Sequence, residues 1–198
     1  VAKGYAQTHG VDYEETFARM AKMTTVQTVI ALEAAKGWNL HQMDVKNAFL
    51  QGELEDEVYM VQPPNFKSKS HPTSIRRLKK PLYSLKQATQ AWHSKITQFL
   101  HQIGFRMSKS DNSLFIRSNS NGRIFIIIYV DELVVGGEHL IDIKKVKMHL
   151  SRKFEMKDMY KLHYFLGIEV IRTGDIMLSQ CHYILNLLFK FGMMDHKP

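Results

Sequence analysis

The chain is 198 residues long, 44% apolar and 23% charged, which is enough apolar material for one large domain or two small lobes and excludes a disordered chain. Its single cysteine, Cys181, excludes an internal disulfide framework and an all-cysteine zinc site, and no apolar run approaches the roughly 20 residues that span a bilayer. A formal charge of +8, from 27 Lys and Arg against 19 Asp and Glu, favours a polyanionic partner such as a nucleic acid.

In chain order, Thr24-Thr25 precede Val26, Val29, Ile30, Ala34 and Ala35, a hydroxyl-capped helical stripe stopped by Gly37, which predicts a helix over 24–36. Residues 39–45 alternate apolar and polar side chains as a short strand does, with Asp44 at its end. The stretch 60–73, with Pro63-Pro64 and Pro72 among Ser and Lys, reads as an irregular connection between two lobes. From Gln87 to Gly104, the residues Ala88, Ala91, Trp92, Ile96, Phe99, Leu100 and Ile103 recur at three- and four-residue spacing, which predicts a helix with Gly104 as its stop. A strand near 113–117, a turn at Ser120-Asn121-Gly122 and a hairpin around Tyr129 to Glu132 follow. Then come a helix over 138–153, strands near 163–171 and 175–179 joined by Thr173-Gly174-Asp175, and an apolar helix over 181–192. Hairpins interspersed with helices indicate an α+β fold, an antiparallel sheet with helices on one face.

The hairpin carries the most informative chemistry. Tyr129-Val130-Asp131-Glu132 lies between the apolar runs Ile124-Phe125-Ile126-Ile127-Ile128 and Leu133-Val134-Val135. Adjacent carboxylates at the tip of a buried hairpin are unfavourable unless a cation or another positive partner is present. A solvated turn is the ordinary reading of an isolated Asp-Glu. A second segment, Asp44-Val45-Lys46-Asn47-Ala48-Phe49-Leu50, opens on another acid. If the two strands are neighbours, three carboxylates meet at one sheet edge, about the number that holds two Mg²⁺ ions for phosphoryl transfer. Three scattered surface acids are the alternative that spacing leaves open.

Tyr129-Val130-Asp131-Glu132 resembles the Tyr-x-Asp-Asp box of reverse transcriptases. With it stand Val1-Ala2-Lys3-Gly4-Tyr5, Gln42-Met43-Asp44-Val45-Lys46-Asn47-Ala48-Phe49-Leu50, Glu57-Val58-Tyr59-Met60 with Gln62-Pro63-Pro64, Leu82-Tyr83-Ser84-Leu85-Lys86-Gln87-Ala88 and Leu162-His163-Tyr164-Phe165-Leu166-Gly167-Ile168-Glu169. In order and approximate spacing these resemble the reverse transcriptase domain of copia-type retrotransposon Pol polyproteins, over essentially the whole chain. The resemblance implies a right-hand polymerase, with a palm over 24–52 and 89–174, partial fingers over 1–23 and 53–88, and only the start of a thumb over 175–198. It implies an RNA-directed DNA polymerase that works by two-metal nucleotidyl transfer onto a primer 3′-hydroxyl. Asp44, Asp131 and Glu132 would be its catalytic, metal-binding carboxylates, joined by the Val45 carbonyl, around two Mg²⁺ ions or Mn²⁺. Ala48, Phe49, Tyr83 and Lys3 would line the nucleotide site, where Phe49 would exclude a ribose 2′-hydroxyl. Tyr129, Val130 and Gly167 would face nucleic acid. Read from the residues alone, Phe49 is a packed core aromatic. Gly167, without a Cβ, permits close approach of a nucleic-acid strand or is an ordinary bulge glycine.

The implied partners are an RNA or DNA template with its primer, deoxynucleoside triphosphates, and the integrase and RNase H of a parent polyprotein, with no membrane. The implied setting of the parent element is a cytoplasmic virus-like particle or the nucleus. Without an initiator Met and ending at Lys197-Pro198, the sequence reads as a piece of that longer polypeptide.

The chain also departs from the pattern. Glu132 stands where the box would have a second aspartate, and its extra methylene shifts the carboxylate by about 1 Å, where misplacement costs on the order of a hundredfold in rate. Ser84, Thr89 and Gln90 replace Gly, Pro and Arg, and Ala18-Arg19-Met20 replaces Ser-Pro-Val. These read as drift in a degenerate copy no longer held to polymerase function. The alternative function is an inactive relic or nucleic-acid-binding module that keeps the polymerase fold. It would use basic clusters such as Lys67-Ser68-Lys69, Arg76-Arg77-Leu78-Lys79-Lys80 and Lys144-Lys145-Val146-Lys147, with salt-sensitive binding and no metal-dependent incorporation. None of the ten histidines pairs at i, i+4 around an acid, which disfavours a histidine metal site. Ser110-Asp111-Asn112 lacks the companion motifs of a β-lactamase, and Gly136-Gly137 is too short for a phosphate loop.

Overall fold

Strand periodicity decides the architecture. The computed structural model of the chain describes residues 4–13 and 20–194. After a short 3₁₀ turn at Gly4–Ala6 come α1 (Met23–Lys36), β1 (Asn39–Val45), α2 (Ala48–Gln51), β2 (Tyr59–Val61), β3 (Ile75–Arg77) and α3 (Ala88–Gln102). They are followed by β4 (Arg106–Met107), β5 (Leu114–Asn119), β6 (Gly122–Tyr129), β7 (Glu132–Gly137) and α4 (Leu140–Lys153). The chain continues through β8 (Met156–Lys161), β9 (Tyr164–Phe165), β10 (Ile168–Arg172), β11 (Ile176–Ser179) and α5 (Cys181–Lys190). Six strands in the order β4-β5-β6-β7-β1-β8 form one antiparallel sheet, with β11-β10-β9 and β2-β3 as smaller ones.

On β6, Ile124, Ile126 and Ile128 turn to one face while Phe125 and Ile127 turn to the other. The first row, with Met43, Val45, Leu133 and Val135, is covered by Trp92, Ile96 and Leu100 of α3 and Ile143, Val146 and Leu150 of α4. The second, with Leu40 and Val134, is covered by Val26, Val29 and Ile30 of α1 and by Phe165 and Val170 of the small sheet. A side chain of this kind contributes about 1.5–3 kcal/mol when fully buried, so both faces must be sealed. The α+β antiparallel fold is the expected one. One detail is corrected: α3 and α4 share a face, but α1 lies on the other, because a strand that is apolar on both sides needs cover on both.

β8 was not legible in the sequence, since five of its six residues are exposed and no apolar alternation marks it. It pairs with β1 along the sheet edge. The expected connection over 60–73 is largely irregular, but its ends pair as a ribbon with Tyr59 opposite Arg77. On α5, Tyr183, Ile184, Leu185, Leu187 and Phe189 are exposed. Among the described residues no helix is long and apolar enough to cross a membrane.

Two polar junctions fasten these layers. Arg172 of β10 donates from Nε and Nη2 to the two Glu33 carboxylate oxygens at 2.9 and 2.8 Å, tying the small sheet to α1. Asp111, set aside above as a chance motif, is a structural hub. Its carboxylate, 3% exposed, accepts from Thr25 Oγ1 at 2.5 Å, Lys22 N at 3.1 Å, and Ser113 N and Oγ at 2.9 and 2.7 Å, joining the start of α1 to the loop before β5. Burial pushes its pKa up, but these four hydrogen bonds outweigh burial and hold it below the usual carboxylate range. That contribution is present above the ordinary aspartate pKa and is lost as pH falls through the lowered folded value. Asp111→Ala should cost about 2–3 kcal/mol in denaturant unfolding at pH 7, and the gap from the unaltered chain should close in acid.

Candidate active site

β1 and β7 run side by side with Asp44 directly opposite Glu132, and the two-residue tip Val130-Asp131 joins the paired Tyr129 and Glu132. Directly opposed residues point to the same face with Cβ atoms about 4.5–5.5 Å apart. This is the face of Leu40 and Val134, away from α3 and α4. The Val45 N–H donates to the Asp131 carbonyl at 2.8 Å, anchoring the tip to β1. Lys157 of β8 stands opposite Asp44 on its other side.

Burial raises the pKa of Glu132, and the neighbouring charges of Asp131 and then Asp44 raise it further, against a side-chain hydrogen bond from Gln42 that favours the ionised form. Gln42 is 7% exposed and lies two residues before Asp44 on the same face, diagonal to Glu132. Among the described residues, none of the three acids enters an ion pair, and no group of three His, Cys, Asp or Glu side chains is already gathered to hold one metal ion. The three carboxylates are therefore neighbours without being collected around a point. Their donor set, all oxygen and all anionic, fits a hard divalent cation and would be relieved by one.

The tip itself is strained. Val130 adopts φ 54°, a left-handed conformation that a β-branched residue adopts at a cost of about 1–3 kcal/mol. Its carbonyl accepts the Trp92 indole N–H at 2.7 Å. Tyr129 packs edge-on against Phe165, ring centroids 6.0 Å apart, which sets the acidic hairpin beside the β9–β10 turn. That turn places Leu166 and Gly167 at φ 52° and 78° between paired Phe165 and Ile168. A Cβ on Gly167 would meet only the Tyr183 ring, at 3.7 Å, so within the protein the left-handed backbone rather than crowding calls for glycine.

The other expected residues lie on α2 and the turn before α3. Ala48 is buried in the core, 1% exposed. Phe49 is half-buried and meets Tyr83 edge-on at 5.0 Å, while Tyr83 is 47% exposed. Phe49 is thus both a packed aromatic and the inner half of an aromatic step facing solvent. Lys3 lies outside the described residues, as do Ala18 and Arg19. Gln42 and Trp92 escaped the sequence reading: one is a polar residue inside an alternating strand, the other an ordinary member of a helical stripe.

The site is thus an antiparallel sheet backed by two helices, with acids at the tip of its central hairpin. Residues 1–198 match the reverse transcriptase (RNA-dependent DNA polymerase) family, and the chain belongs to that family. It is 43% identical over 199 residues to the retrovirus-related Pol polyprotein from transposon RE2 and 44% over 200 residues to that from transposon RE1, both of Arabidopsis thaliana. It is 36% identical over 202 residues to the Pol polyprotein from transposon TNT 1-94 of Nicotiana tabacum. Each alignment covers 100% of this chain but only 14%, 14% and 15% of the relative, so the chain spans a small part of their length. A telomerase from Candida albicans, solved with a fragment of telomeric RNA, aligns with 84% of this chain and 35% of that one at 11% identity and a TM-score of 0.42, too distant to add to the assignment.

Two outcomes follow from this geometry. A raised carboxyl contributes stability below its unfolded pKa and loses it as pH rises through the folded value. Glu132→Gln, with no charge to accommodate, should therefore melt higher than the unaltered chain at pH 7 and no higher at pH 4, and Mg²⁺ or Mn²⁺ should narrow the pH 7 difference, by calorimetry. Ser84 sits at φ 83°, where a side chain is strained, so Ser84→Gly should stabilise the fold by about 1 kcal/mol in urea unfolding.

Proposed function

We propose that this chain is the polymerising core of an RNA-directed DNA polymerase, adding deoxynucleotides to a primer 3′-hydroxyl along an RNA or DNA template. The observation that carries the reading is the cross-strand opposition of Asp44 and Glu132 beside Asp131 at the tip of the central hairpin. Divalent metals serve the reverse transcriptase family generally. Here Asp44, Asp131 and Glu132, with the Val45 carbonyl, would hold two Mg²⁺ ions or Mn²⁺, which when bound stabilise the attacking and leaving oxygens.

The protein's own groups do the positioning. The Phe49–Tyr83 step offers an aromatic floor on which a sugar rests, and its bulk disfavours a 2′-hydroxyl. Tyr129, Val130 and the Leu166-Gly167 turn bring two hairpin tips together where a primer end would lie. An excess of eight positive charges draws in the polyanion. The proposed division is palm over 24–52 and 89–174, fingers over 1–23 and 53–88, and the start of a thumb over 175–198. Its support is that the six-stranded sheet, α3 and α4 fall in the palm segments and the β2–β3 ribbon in the fingers. In a parent Pol polyprotein, integrase and RNase H would be its companions.

The second reading, a copy that binds nucleic acid without incorporating nucleotides, is favoured by one observation: among the described residues no three acidic side chains are already gathered to hold a metal ion. Primer extension with Mg²⁺ separates the two. The unaltered chain should extend slowly, Asp44→Asn should lower the rate at least about a thousandfold, and Glu132→Asp should raise it about 10- to 100-fold. Salt-sensitive template binding with no incorporation, even by Glu132→Asp in Mn²⁺, would assign the chain to the second reading. Extension by the unaltered chain as fast as by Glu132→Asp would remove the degenerate-copy interpretation.

A further inference from the structure

Trp92 is 1% exposed on α3, beneath the sheet, yet its indole N–H reaches the tip of the acidic hairpin and donates to the Val130 carbonyl at 2.7 Å. A buried indole N–H requires an acceptor, and this one takes the carbonyl of the one β-branched residue at positive φ among the described residues. The ring is fixed in turn: Phe154 meets it edge-on at 5.2 Å, and Phe99 meets Phe154 at 5.3 Å. The backbone of α3 at this point is fixed as well. A Cβ on Gly52, just after α2, would lie 2.9 Å from Ala91 C and Trp92 N, so the segment carrying Phe49 docks on the same step of α3.

The carbonyl of Asp131, next along the tip, accepts from Val45 N at 2.8 Å. Two successive peptide planes, Val130–Asp131 and Asp131–Glu132, are thus each held by a donor from outside the hairpin, one from α3 and one from β1. Between them they set the direction in which the Asp131 side chain leaves the backbone. We propose that Trp92 is a positioning residue for the acidic site: its indole N–H pins the strained Val130–Asp131 peptide and so aims the Asp131 carboxylate. The proposal rests on the polymerase reading for its consequence in turnover, though not for the hydrogen bond itself.

The test replaces one atom group and keeps the shape. Trp92→3-benzothienylalanine, introduced in the full chain, preserves the fused ring and removes the N–H donor, so a residue that merely packs would register no change. Hydrogen exchange at the Val45 amide, whose proton is held by Asp131, should speed up about fivefold, while amides of α4 keep their rates. In primer extension the variant's kcat should fall about tenfold with the KM for deoxynucleotide held within about twofold, the signature of misplaced catalytic groups rather than lost substrate contact. Unchanged Val45 exchange, or an unchanged kcat in an active chain, would overturn the proposal. If the unaltered chain incorporates nothing, the polymerase reading fails by itself, and the Val45 exchange rate still decides the role of Trp92.

Discussion

A hairpin that is apolar on both faces has only its tip to offer to water, and the rest of this molecule follows from that constraint. Ile124 through Ile128 and Leu133 through Val135 are nearly inaccessible to solvent, so α3 and α4 must seal one side and α1 with the small sheet the other. Carboxylates on such strands are tolerable only where the strands end. Asp131 and Glu132 occupy that end, and the register of β1 brings Asp44 to meet them. The result is a concentration of negative charge on a rigid support. Glu132 registers it as a carboxyl whose ionisation is disfavoured by burial and by its two acidic neighbours.

Backbone strain gathers around the same place. Of the five non-glycine residues at positive φ among the described residues, four, Val130, Leu166, Ser84 and Asn47, lie at turns beside the acids, the aromatic step or the second hairpin, and the fifth, Tyr160, lies in β8. Strain of this sort persists where surrounding bonds over-determine the conformation. At Val130 those bonds are visible, one from Trp92 and, at the next residue, one from Val45. Ser84 is held differently: the Gly4 backbone lies so close to the Ser84 carbonyl that a Cβ there would fall 1.6 Å from it. Only glycine therefore fits at position 4 against this turn, and a serine at 84 in place of the more permissive glycine leaves its own strain unrelieved.

The exchange of aspartate for glutamate at position 132 acquires a structural consequence. A longer side chain opposite Asp44 could have crowded the other two acids. Instead Gln42, two residues earlier on the same strand face, takes up its carboxylate by a hydrogen bond. The acidic charge is retained in the neighbourhood, where burial and the charges of Asp131 and Asp44 disfavour its ionised form. Family membership is therefore compatible with a glutamate at this position.

Much was legible in the sequence because it depends on local periodicity. The helices at Met23–Lys36, Ala88–Gln102 and Leu140–Lys153 and the strand Asn39–Val45 follow from three-four spacing, alternation and glycine stops, which neighbours along the chain impose on one another. The acidic tip was legible too, because Asp-Glu between two apolar strands is chemically conspicuous. What only the tertiary structure decided concerns residues with no unusual local signal. β8 is a strand because β1 offers it an edge, Ala48 is closed to solvent because α3 lies over it, and Asp111 is a hub because α1 begins beside it. Gln42 and Trp92 act across more than thirty residues of sequence, through a diagonal on the sheet and a reach from the helix beneath it. Periodicity reports which face of an element is buried, whereas the partner that a buried donor finds is settled only when separate elements are packed together.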